Sequence, residues 1–202
     1  MSLEELKKVL FYYGQMLITP RGASAAIIPI DTAAAHAIKQ AKHDPEMRAI
    51  IKKAQQRREK VTVRTGQTAF KGTGTTGGYD PIGRDINLSA KGEQDTGVLG
   101  HEMMHFLSQV SRSPFWHPLR LNEYLAEYGG TAGDPSAADP GYEYGKLPKH
   151  VQEAIKKEFK RILSQPRDYV RPKQHRGKIP ETKDLSKIVD FWLSQPPLSE
   201  FK

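Results

Sequence analysis

Apolar positions fall at helical spacing along most of this chain and alternate in only short runs, a pattern that predicts a mostly helical α+β fold. Leu3, Leu6, Leu10 and Tyr13 form one stripe, and Ser2 with Glu5 makes a capping box, so a first helix is expected to about Met16. Pro20, Gly22 and Ser24 mark a loop over 19–25. Asp31 or Thr32 can cap a helix through Ala33–Ala41. Asp44-Pro45-Glu46 is a second start signal, for a helix to about Glu59. Val61 to Thr65 alternates and is β-branched, which predicts a strand. Gly72 to Gly78 reads as flexible, and a strand over Asp85–Ser89 precedes a helix from about Asp95 to Val110. A loop over 111–120 leads to a helix carrying Leu121, Leu125 and Tyr128 and ending at Gly129-Gly130. A long loop rich in Gly, Pro and Asp follows over 130–147, then helices at Lys149–Ser164 and Lys183–Ser194. The length suits a single domain over 1–202, with N-terminal helices in 1–60, the sheet and central helices in 61–130, and a loop with C-terminal helices in 131–202.

The helix expected over 95–110 contains His101-Glu102-Met103-Met104-His105. Residues i and i+4 share a helix face, so both imidazoles can reach one metal ion. Glu102 points about 100° round the helix from His101, beside that ion and free to hold a water. This is the H-E-x-x-H spacing that binds zinc in metallopeptidases. The flanks support the helix, since Leu99, Met103, Phe106 and Val110 make a core-facing stripe that leaves His101, His105 and Ser108 on an adjacent face. Gly97 and Gly100 keep the start of the helix slim enough for another backbone to come close.

Glu123 is the candidate third ligand, 18 positions after His105. That is enough chain to turn and enter a neighbouring helix. Glu127 shares its face at i+4, placed to accept a hydrogen bond from the free N–H of a ligand histidine. Glu102 is the expected general base. Tyr142, Tyr144, His117 and His150 are the candidates for an added oxyanion donor, and the spacing does not choose among them.

On these residues the chain resembles the gluzincins, zinc peptidases whose third ligand is a glutamate on a second helix. His101-Glu102-x-x-His105 matches their first motif, and Leu121-Asn122-Glu123-x-x-Ala126-Glu127-Tyr128 looks like their second. The L-N-E-x-x-A form is similar to zinc aminopeptidases and the E-x-x-A-E form to the anthrax lethal factor group. The resemblance implies a zincin-like fold with a small sheet beside the metal helix, Zn2+ held by His101, His105 and Glu123, Glu102 as catalytic base, and Glu127 supporting a ligand. Ser108 and Ser111 replace the Gly and His of the metzincin continuation, which disfavours that subclass, and the lack of a G-A-M-E-N-type run favours an endopeptidase over an exopeptidase. Thr75 to Leu88 looks like a strand-turn-strand leading into the metal helix, similar to small metallopeptidase domains of injected bacterial effectors and polymorphic toxins. That likeness implies a protein or peptide substrate, an immunity protein or a secretion-system parent chain as partner, and a bacterial origin.

Composition narrows this reading. Without cysteine, neither a disulfide framework nor a Cys-ligated zinc can form. No apolar run is long enough to span a membrane. The acidic, amphipathic start at Met1-Ser2-Leu3-Glu4-Glu5-Leu6 is unlike a Sec signal, so secretion or translocation is expected by another route, with a cytoplasmic location left open. The net charge is +8, with much of the excess between Lys156 and Lys178. A basic nucleic-acid-binding domain is therefore one alternative, disfavoured because no nucleic-acid module or stacking motif accompanies the charge. A non-catalytic zinc-containing domain is the other, and Glu102 argues against it.

Overall fold

Asp31 starts the first helix and ties it to the sheet. In the computed structural model, which describes residues 26–45, 47–66, 76–116, 119–131, 144–166 and 184–194, its Oδ1 accepts from the Ala34 amide at 2.7 Å and caps helix α1 (Thr32–His43). The same carboxylate accepts from the Thr65 hydroxyl at 2.6 Å and the Thr65 amide at 2.9 Å. Ala34, Ala37, Ile38 and Ala41 form the buried face of α1. Helix α2 (Arg48–Gln55) follows Asp44, whose carboxylate accepts from Met47 N and the Thr96 hydroxyl. The helix is shorter than the expected run to Glu59. Residues 57–60 offer no apolar side chain to continue its face, and the Arg57 amide closes a tighter turn on Ala54 O at 3.1 Å.

Four strands form one mixed sheet in the order β1-β2-β4-β3: β1 (Ile27–Pro29), β2 (Val61–Arg64), β3 (Gly77–Asp80) and β4 (Asp85–Leu88). β1 and β2 are parallel, as are β2 and β4, whereas β3 runs antiparallel to β4. Ile27, Val61, Val63, Ile86 and Leu88 are buried, and their alternating neighbours are less so. One face of the sheet is thus packed, with α1 against β1 and β2. β3 and β4 with their turn match the strand-turn-strand expected over Thr75 to Leu88, and β1 is an addition. Asp80 holds the β3–β4 turn by accepting from the Ile82 and Gly83 amides, and Arg84 adopts a left-handed φ of 55° to enter β4.

Helix α3 (Thr96–Val110) packs on β3 and β4 and against α1 and α2. Asp95 caps it by accepting from Gly97 N at 2.9 Å. Helix α4 (Leu119–Gly130) lies along α3, followed by α5 (Lys149–Ser164) and α6 (Leu185–Ser194). Met103, Phe106, Leu107, Leu121, Leu125, Val151, Ile155 and Val189 belong to one buried cluster that includes the packed face of the sheet. Gly129 and Gly130 fall within α4 and serve as contact surface. A Cβ on Gly130 would stand 2.8 Å from Gly97 O and 3.0 Å from His101 Cβ, so only a bare backbone lets α4 approach α3 at the level of His101. The described residues therefore form a mostly helical α+β fold with six helices and a small four-stranded sheet. No described helix is long and apolar enough to cross a membrane. The helix expected over 2–16 and the loop over 19–25 lie outside the described residues, as does most of 130–147.

Candidate metal centre

One turn of α3 separates His101 from His105, and their Nε2 atoms lie 3.1 Å apart. Glu123 of α4 places Oε2 at 3.5 Å from His101 Nε2 and 3.6 Å from His105 Nε2. These three atoms make a nearly equilateral triangle. Tetrahedral coordination at about 2.0–2.1 Å to nitrogen and oxygen puts neighbouring donors about 3.3 Å apart. The donor set therefore fits a divalent ion without rearrangement. Ligand atoms of His101, Glu102 and His105 also lie within 4.8 Å of one another, so two carboxylates border the centre. Glu123 is the one whose oxygen is held nearly equidistant from both imidazoles.

Each imidazole is gripped from behind. His101 Nδ1 is 3.2 Å from Glu127 Oε2, one turn after Glu123, as its i+4 placement predicts. His105 Nδ1 faces the Asn122 side-chain amide at 2.9 Å. Asn122 is buried, and among the described residues its Oδ1 has no hydrogen-bond partner in the orientation with Nδ2 toward the histidine. Rotating the amide by half a turn brings Oδ1 to the ring, where it accepts from Nδ1–H. That tautomer leaves the Nε2 lone pair of His105 for a metal. Sequence reasoning missed Asn122 as a contributor, although a polar residue beside Glu123 on a helix that must pack against α3 is a readable signal.

Glu102 is buried and lies against the sheet. A Cβ on Gly77 would stand 3.1 Å from Glu102 Oε1 and 2.8 Å from Val98 Cγ1, so β3 has room for the carboxylate only because residue 77 lacks a side chain. Burial pushes the Glu102 pKa up, against the pull of His101 and His105. Burial disfavours the charged form of His101, but Glu123 and Glu127, with Glu102, outweigh it and raise its pKa to about 10. Burial raises the Glu123 carboxyl as well, and the bonds to His101 and His105 overcome it, bringing the pKa to about 2. The centre thus attracts positive charge strongly, whether as a proton or as a metal ion.

Two of the four candidate oxyanion donors are described, and both are engaged elsewhere. The Tyr144 hydroxyl donates to Gln152 O at 2.8 Å, and its ring lies against Tyr128. His150 is exposed on α5 and sits 3.6 Å from Asp190 of α6. His117 and Tyr142 lie outside the described residues. Among the basic residues, Arg161 is not part of a solvated face, since it binds the buried Glu158 carboxylate. Comparison with protein-family models, curated proteins and solved structures finds no match.

Proposed function

We propose that this chain is a zinc-dependent endopeptidase with a zincin-like arrangement, in which His101, His105 and Glu123 are the metal ligands and Glu102 is the catalytic base. The observation that carries the reading is the triangle of Nε2, Nε2 and Oε2 with edges of 3.1, 3.5 and 3.6 Å, bordered by a buried carboxylate that is not one of its corners. Two imidazoles and one carboxylate favour zinc among common divalent ions. Zinc bound there would supply a Lewis acid and an acidified water at neutral pH.

The chain's own residues define the rest. Glu127 and Asn122 hold the two rings at Nδ1 and keep both Nε2 atoms converged. Glu102, raised in pKa by burial, takes a proton from the attacking water and delivers it to the leaving amine. Edge strand β3 supports an extended peptide as substrate. The Ser89 amide bonds Thr76 O at 2.8 Å, so Thr76 and Ser89 are a hydrogen-bonded pair. Alternation then turns the N–H and C=O of Gly77 and Tyr79 toward the open edge, where a substrate strand can pair beside Glu102.

We place this activity in a bacterial effector or toxin domain delivered by a non-Sec route. The short strand β4 just ahead of the metal helix and the basic, cysteine-free composition support that setting. Its test is growth of bacteria expressing the chain, which should fall for wild type and recover for Glu102→Gln. The chemistry is tested by elemental analysis paired with peptide-library cleavage before and after chelation. One zinc per chain and chelator-sensitive internal cleavage are expected. A metal-loaded protein that cleaves nothing would return the chain to a non-catalytic role.

A further inference from the structure

Away from the cleft, α2, the turn after α3 and α5 enclose a polar cluster that peptide hydrolysis does not use. Lys53, Arg57 and Glu158 are 4 %, 2 % and 6 % exposed. Arg57 Nη2 donates to Ser111 Oγ at 2.9 Å. Glu158 accepts from the Ser113 hydroxyl at 2.5 Å and from Arg161 through Nε at 2.6 Å and Nη2 at 2.5 Å. The Lys53 ammonium donates to the Gln165 carbonyl.

The local carboxylate is thereby engaged by Ser113 and Arg161. Among the described residues, Arg57 Nε and Nη1, Arg161 Nη1 and Gln165 Nε2 are buried donors with no hydrogen-bond partner, and Gln165 Oε1 is a buried acceptor without one. Three cations share the cluster with Glu158, and Glu59 is the further acid that acts on Arg57. Burial and the like charge of Arg161 both work against the Arg57 cation. Unmet donors next to an excess of positive charge, here three cations against two acids, are destabilising unless an acceptor of opposite sign joins them. A water molecule would satisfy donors but not charge.

We propose that Arg57 and Arg161, with Gln165, bind a small inorganic anion of chloride size that fastens α2 to α5. Binding to the folded chain alone makes the anion a stabilising ligand.

The test follows thermal unfolding at constant ionic strength while sodium gluconate is replaced by sodium chloride. Wild type should gain about 3–5 °C, saturably, at roughly ten times the dissociation constant. Arg57→Met should lose that gain, and equal chloride responses in the two proteins would overturn the proposal. If the variant does not fold, wild-type crystals grown in sodium bromide decide the matter. An anomalous peak within about 3.5 Å of the Arg57 guanidinium supports the site, and its absence overturns it.

Discussion

Gly77 and Glu102 fit together because residue 77 has no side chain: a Cβ there would stand 3.1 Å from the carboxylate Oε1 and 3.2 Å from Cγ. The Glu102 carboxylate therefore owes its placement to the edge strand as well as to its own helix. Gly77→Ala should push the carboxylate aside and lower kcat by about 10- to 100-fold. Zinc content should stay at one per chain, because the atoms nearest a Cβ at residue 77 belong to Val98 and Glu102 rather than to the proposed ligands. Peptide kinetics with parallel metal analysis reads both, and unchanged kcat would separate β3 from the positioning of Glu102.

Asn122 and Glu127 should matter through the imidazoles they hold. Asn122→Ala and Glu127→Ala are each expected to weaken zinc binding by about 10- to 100-fold. Competition with a fluorescent chelator measures this. Equal affinity in wild type and both variants would mean that the rings are oriented by packing alone.

Asp31 predicts a specific acid response. Burial opposes its ionisation, but bonds from the Thr65 hydroxyl and from the Ala34, Thr65 and Ala33 amides prevail, so its folded pKa lies below the ordinary 3.8. A depressed carboxylate contributes stability that is present above the unfolded pKa and lost as pH falls through the folded one. Asp31→Asn keeps an acceptor for Ala34 N and removes the charge. Its stability should therefore decline less steeply than wild type from about pH 5 downward, as followed by denaturant titration. Parallel pH curves would contradict the linkage.

Leu125 is fully buried where α4 packs into the core. Leu125→Ala should cost about 2–5 kcal/mol in urea unfolding. A cost below about 1 kcal/mol would show that the α3–α4 seam does not depend on this side chain.

Helix α3 and its candidate ligands were legible because their signals are local. The four-residue spacing of His101 and His105, the stripe through Leu99 and Met103 and the cap at Asp95 lie within one segment. Glu123 and Glu127 were legible by the same i, i+4 logic. β3 was legible only through the strand-turn-strand likeness over Thr75 to Leu88, because Gly77-Gly78-Tyr79-Asp80 has little strand propensity of its own and is held by pairing with β4. β1 is only three residues long and ends in proline, too short for a periodicity to show. The partnership of Asn122 with His105 depends on how α4 docks on α3, which no single segment encodes. Gly129 and Gly130 carry the usual mark of a helix end but act as a packing face, a role visible only beside Met104 for the first and Gly97 and His101 for the second. Tyr144 had suitable chemistry, yet its hydroxyl is engaged by Gln152.

The central claim is best tested by comparing peptide cleavage by zinc-loaded wild type with that by Glu102→Gln at matched zinc content. Glu102 lies beside the ligand triangle, so the variant should retain its metal and lose activity by at least about 100-fold. Equal cleavage by the two proteins would contradict the assignment of Glu102 as the base.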